Sequence, residues 1–204
     1  MQFHAVYKKG IVAVKTLQTV KNIGTFLFDY FGLMRGDLEY QIRYGQWKMK
    51  ARGGTPDCKE IAAVMSGYEY PLRKLPPLER PVIFDVGAHI GSFTFFALAY
   101  YRLNNPKLFI FEPNSENFMY LKHNVAANAG ERNFYRLYHC AIGTYDGVAK
   151  LDTSKGNDAH RLSQNPKGTY ELCPVRTLQS VATQEQVTRI DILKLDIEGG
   201  EYDL

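Results

Sequence analysis

The sequence predicts an α/β protein built on a parallel sheet with helices on both faces, and three observations predict it. Short, almost wholly apolar runs recur in "VIFDVG", "KLFIFEP", "NFYRLYHCAIG" and "RIDILKLDI". Runs of that length without polar alternation suit strands buried on both faces. Helix-length segments follow the first two, and strand, helix, strand, helix, strand is the pattern of right-handed parallel crossovers. With 204 residues, 45% of them apolar, the chain suffices for one sizeable core.

The opening stretch "MQFHAVYKKGIVAVKTLQTVKNIGTFLFDYFGLM" interrupts its apolar residues with Lys15, Gln18, Lys21, Asn22 and Asp29. It is therefore read neither as a secretory signal nor as a transmembrane segment. Val14, Leu17, Val20, Ile23, Leu27 and Phe31 recur every three or four positions, as in an amphipathic helix docked on its own domain. Contact of this helix with a membrane surface is the sharper alternative. "LEYQIRYGQWKMKARGG" alternates across Tyr44-Gly45 and reads as a hairpin. "TPDCKEIAAVMSGYEY" reads as a helix begun near Thr55 or Asp57, with Pro56 in its first turn, and ended near Gly67.

"PLRKLPPLERP" holds four prolines in eleven residues and marks the best boundary. It divides an N-terminal extension, 1–80, from a main domain, 81–204. In the latter, "SFTFFALAYYRL" is a helix closed before Pro106. "NSENFMYLKHNVAANAG" is a second, capped by Asn114 or Ser115, with Phe118, Leu121 and Val125 inward. "VAKLDTS" and "TYELCPVRTL" pair as an inserted hairpin around "KGNDAHRLSQNPKG".

Charge narrows the function. Residues 1–80 hold 13 Lys/Arg against 7 Asp/Glu, whereas 81–204 hold 12 against 14, within a formal total of +4. The positive residues are scattered, without an arginine-rich arm or aromatic ribonucleoprotein signature, so no nucleic-acid partner is expected. Cys58, Cys140 and Cys173 form no C-x-x-C pair and read as reduced residues of a cytoplasmic protein. Metal-independent chemistry is expected.

Ligands of such sheets lie beyond the carboxyl ends of the strands, where the strand order reverses. The first end reads Asp85-Val86-Gly87-Ala88-His89-Ile90-Gly91, a glycine bend opening a helix whose amides can receive an anion. A nicotinamide fingerprint needs Gly where Asp85 stands, and an acid beside a pyrophosphate is repulsive. Asp85 suits a ligand with a positive amino group. Glu112, after "FIF", can accept both hydroxyls of a ribose. Ala141 offers a small floor for an adenine ring. Asp196 falls where the other ends converge, and Glu198 and Glu201 follow on a glycine turn. There they can orient or deprotonate a hydroxyl, neutralise a positive sulfonium, or serve as first-turn helix charges.

"VIFDVGAHIGSFT", "FIFEPNSENFMYLKHNV", "AIGTYDGVAKL" and "VRTLQSV...RIDILKLDIEGGEYDL" together resemble the FkbM family of S-adenosylmethionine-dependent methyltransferases over roughly residues 50 to 204. The resemblance implies a Rossmann-like class I methyltransferase sheet with S-adenosyl-L-methionine as cofactor. It implies that Asp85, Gly87 and Gly91 meet the methionyl part and that Glu112 meets the ribose, with Ala88, His89, Pro113 and Asn114 as further cofactor contacts. Ala141 would lie at the base, and Thr55 and Asp57 near the methionine end. Asp196 would stand near the transferred methyl, with Asp196 and Glu198 as catalytic candidates. The acceptor implied is a hydroxyl of a small molecule, sugar or glycan.

His89 stands where Asn is expected, with cofactor contact, proton acceptance and helix capping as its readings, and capping favoured. His160 is an outside candidate for a base. In the family's complete fold "DILKLDI" is a central strand, which implies a fragment lacking C-terminal strands, or a half whose exposed sheet edge a partner chain covers. The competing reading is a catalytically silent nucleoside-binding module. Adenine N-methylation is disfavoured because "DIEG" replaces an N-P-P-Y-like turn, and cytosine C5 chemistry because Cys173-Pro174 reverses the Pro-Cys order.

Overall fold

A computed structural model describes residues 18–70, 75–128, 134–154, 161–162 and 168–197. Its centre is a four-stranded parallel sheet formed by β3 (Val82–Val86), β4 (Lys107–Phe111), β5 (Phe134–Tyr138) and β10 (Ile192–Leu195), in the order β10-β3-β4-β5. The predicted alternation of strand and helix is present, with α3 (Ser92–Tyr101) and α4 (Ser115–Asn128) as the crossovers.

Period-two alternation places successive side chains on opposite faces. Ile83, Leu108 and Ile110 pack with Ile90, Phe95, Leu98, Leu121 and Val125 on one face. Phe84, Val86, Phe109 and Phe111 pack with Leu178 and Val181 of α5 (Leu178–Gln184) on the other. Helices thus cover both faces, and β3 and β4 read as apolar runs because neither face meets water. The chain walks from β3 outward to β5 and then returns to lay β10 on the other side of β3. The strand order reverses between β3 and β10.

Before the sheet come α1 (Ile23–Tyr30), the antiparallel pair β1 (Gly36–Gln41) and β2 (Lys48–Gly53), and α2 (Asp57–Met65). The hairpin and α2 agree with the sequence. The first helix does not: Val20 bridges to Ile42 instead of continuing a helix, and α1 starts at Ile23. Its inward residues are Phe26 and Asp29, while Leu27 and Phe31 are exposed. Asp29 tolerates burial because the Tyr40 hydroxyl and the Gly54 amide donate to its carboxylate. Val14 and Leu17 lie outside the described residues.

The hairpin is fastened to the main sheet by α4. Asn124 accepts from Lys50 N (2.6 Å) and donates to Lys50 O and Ile90 O (both 2.9 Å). Asn128, one turn later, accepts from Lys48 N (2.8 Å) and donates to Lys48 O (2.6 Å). The core around Ile61, Met49, Tyr40 and Phe95 is continuous across this junction.

The run "NFYRLYHCAIG" divides into two strands rather than one. β5 ends at Tyr138, and β6 (Ala141–Ile142) joins a second sheet with β7 (Gly147–Asp152), β8 (Arg161–Leu162) and β9 (Tyr170–Arg176), in the order β6-β9-β7-β8. The inserted hairpin is there as β7 and β9, antiparallel with Ala149 opposite Cys173. The three cysteines are free and buried. No helix among the described residues is long and apolar enough to cross a membrane.

Candidate functional site

The strand reversal brings the tips of β3 and β10 together. Asp196 N donates to Val86 O (3.1 Å), and Gly87 turns beneath the Asp196 carbonyl with φ +73°. A Cβ on Gly87 would overlap that carbonyl oxygen, so both the backbone sign and the close approach require glycine. Gly91 caps α3 at φ +100° without any side-chain cap. Capping by His89 is therefore not observed. His89 adopts φ +53°, a left-handed conformation that His and Asn both tolerate better than most residues.

The loop amides turn inward. Gly87 N and Ala88 N donate to Phe111 O (3.0 and 2.9 Å), and His89 N to Glu112 Oε2 (2.8 Å). These three amides stitch the loop to the tip of β4. Glu112 Oε1 also accepts from Asn114 N (3.0 Å) and Asn117 Nδ2 (3.4 Å). Burial pushes the Glu112 carboxyl above its usual range, against the pull of His89 and of the bonded amides. Asn114 Oδ1 accepts from Asn117 N (2.9 Å) and caps α4 as predicted, with Pro113 half-buried before it.

Asp85 is fully buried. Its Oδ2 accepts from Thr94 Oγ1 (2.6 Å), and its Oδ1 lies 3.4 Å from Lys194 Nζ. Lys194 is opposite Asp85 in the strand register, so both side chains leave the same sheet face. The ammonium also donates to Gly87 O and Val86 O (3.4 Å) and stands 3.7 Å from Asp196 Oδ2. Burial alone would lower the Lys194 pKa, but Asp85, Asp196 and Glu60 carry it above the ordinary value. Lys194 keeps its proton.

A second charged group braces the loop from β2 and α2. Arg52 grips Asp57 in bidentate fashion, Nε to Oδ2 at 2.9 Å and Nη2 to Oδ1 at 3.0 Å. Arg52 Nη2 also lies 3.0 Å from His89 Nε2. An arginine only donates, so in the neutral ring Nε2 accepts and the proton sits on Nδ1, toward Glu60. Burial lowers the His89 pKa, yet Glu60, Asp57 and Glu112 outweigh it and leave the pKa raised. Thr55 donates to Arg52 O (2.8 Å) and shapes the turn into α2.

Of the sequence candidates, Asp85, Gly87, Ala88, His89, Gly91, Glu112, Asn114 and Asp196 gather around the tips of β3, β4 and β10. Ala141 is buried in the second sheet, beside Val175. Glu198, Glu201 and His160 lie outside the described residues. Sequence reasoning missed Lys194, Arg52, Glu60 and Glu171. The last, on β9, accepts from Asn114 Nδ2 (2.9 Å), Ser115 N (3.0 Å) and the Ser115 hydroxyl, linking the second sheet to the start of α4. No cluster of three metal-binding side chains occurs among the described residues.

A parallel α/β sheet with helices on both faces and a glycine bend at its strand reversal defines a protein of Rossmann-like fold. The particular family follows from the sequence match: the methyltransferase FkbM domain model matches residues 85–204, and the chain belongs to that family. A crystal structure of methyltransferase FkbM from Methylobacillus flagellatus is similar at 14% identity and TM-score 0.44, covering 90% of this chain and 43% of that one. TYW2 from P. horikoshii, solved with MeSAdo, is similar at 19% identity and TM-score 0.36, covering 53% and 38% respectively. The chain thus spans less than half the length of either structure. No curated protein matches.

Proposed function

We propose that this chain is an S-adenosyl-L-methionine-dependent O-methyltransferase domain acting on a hydroxyl of a sugar, glycan or secondary metabolite. The observation that carries the reading is the meeting of Gly87 and Asp196 at the strand reversal, beside the buried carboxylate of Glu112. The residues fit a nucleoside. Glu112 Oε2 accepts one bond, from His89 N, and keeps acceptor capacity for a ribose hydroxyl. Gly87 lets the Asp196 carbonyl approach the bend more closely than any side chain would allow.

When bound, the cofactor supplies an electrophilic methyl group on a sulfonium. The chain's own work is positional: Glu112 orients the nucleoside, Thr55 and the Ala88–Gly91 loop shape the methionyl end, and Pro113, Asn114 and Ala141 border the base. Asp196, whose side chain is 56% exposed, orients the acceptor hydroxyl together with Glu198 and accepts its proton. In this assignment residues 81–204 form the cofactor-binding domain, and Arg52, Asp57 and Glu60 of the 1–80 extension wall its loop from one side. A cytoplasmic location suits the three free thiols.

Calorimetry with S-adenosylhomocysteine tests the cofactor. Binding in the micromolar range supports the reading, and preference for NADH overturns it. Transfer of label from methyl-labelled cofactor to a panel of hydroxylated acceptors tests the reaction. Binding without any transfer favours a silent nucleoside-binding module.

The exposed Phe28, Phe31 and Leu33 of α1 and its following turn favour a membrane-surface contact as an additional partner reading. Flotation with anionic vesicles tests it, and loss of flotation in Phe31→Ser is the expected outcome.

A further inference from the structure

The glycine bend was read as receiving a ligand's positive amino group through Asp85. In the structure that position already holds an ammonium. Lys194 Nζ lies between Asp85 Oδ1 (3.4 Å) and Asp196 Oδ2 (3.7 Å) and donates to the carbonyls of Gly87 and Val86. These are the acceptors that a bound amino acid's ammonium would seek at this strand tip. Asp85 is 0% exposed and Lys194 is roofed by the same loop, with 8% of its side chain exposed.

We propose that Lys194 fills the amino-group subsite of this cleft, so that the chain reads its cofactor through the nucleoside end and gains little from the α-amino group. The inference rests on the cofactor assignment above. The physical reason is occupancy: the Lys194 ammonium already takes the Asp85, Gly87 and Val86 acceptors, and a second ammonium beside it would meet a like charge within a few ångströms. Glu112 contrasts with this pair, since its bonded partners are two amides and one carboxamide and none of them is a cation. Lys194 is thereby a specificity-determining residue.

The test compares S-adenosylhomocysteine with its des-amino analogue, which carries hydrogen in place of the α-amino group, by calorimetry on the wild-type chain and on Lys194→Met. The wild type is expected to bind the two ligands within about threefold of each other. Removal of the resident ammonium exposes two carboxylates, so Lys194→Met is expected to favour the amino-bearing ligand by about tenfold or more, the size of a charge-assisted hydrogen bond. A purely structural lysine would weaken both ligands alike and leave their ratio unmoved.

A wild type that already prefers the amino-bearing ligand by tenfold or more overturns the inference and leaves the cofactor reading intact. Failure of the folded wild type to bind either ligand overturns both. Should Lys194→Met not fold, Lys194→Gln keeps length and polarity without the charge, and the wild-type ratio alone still decides.

Discussion

The tips of β3 and β4 carry the same chemistry in two different settings. Asp85 and Glu112 each end an apolar strand and each is buried, yet Asp85 is neutralised by a lysine from the adjacent strand, whereas Glu112 is held by the His89 and Asn114 amides and the Asn117 carboxamide. An ion pair removes charge from the cleft. Dipolar donors bring no opposite charge with them. Acidity at a strand end therefore does not identify a ligand-binding carboxylate until its partner is known.

The comparison breaks most severely at Asp85. Asp85→Asn leaves the Lys194 ammonium without its buried counter-ion and is expected to cost about 3–5 kcal/mol in urea unfolding. The double variant Asp85→Leu with Lys194→Met should recover most of that loss, since neither charge then remains unpaired. Gly87→Ala follows, at about 2–3 kcal/mol, because it combines left-handed strain with a clash against the Asp196 carbonyl. Glu112→Gln should be felt in binding, weakening S-adenosylhomocysteine by about 1–3 kcal/mol in calorimetry.

The smallest effect is expected away from both tips, at Asp146. The amide of Thr177 and the hydroxyl of Ser180 donate to its carboxylate and hold its pKa below the ordinary value. A depressed pKa contributes stability that is present above the unfolded value and lost as pH falls through the folded one. Asp146→Asn should therefore melt slightly earlier than wild type at neutral pH. The gap should narrow as both are scanned at pH values falling below the ordinary aspartate range.

The strands and helices of the main sheet were legible because burial on both faces leaves an apolar run that nothing else explains. Gly87 and Asn114 were legible for local reasons, a backbone sign and a cap. The partner of Asp85 was not, because register between strands more than a hundred residues apart is not written in either strand. A clue was available: Lys194 is the lone cation in "DILKLDI", and a lysine in a strand of this kind needs a carboxylate. The helical period held for Ile23 to Tyr30 but misled at Val20, which bridges to Ile42, and over the inward face, where the donors waiting for Asp29 outweighed it. "HCAIG" was read as one strand with its predecessor, since nothing local marks the point where a chain leaves one sheet for another.

Asn124 and Asn128 have a consequence for how this protein can be cut. Their carboxamides copy the donor–acceptor spacing of a β-ladder and close the outer rim of β2 from a helix, one rung per turn. An expression piece trimmed to the matched span, residues 85–204, would delete the ribbon that these rungs serve and strand two amide side chains on a bare surface. The sensible minimal unit begins ahead of Gly36.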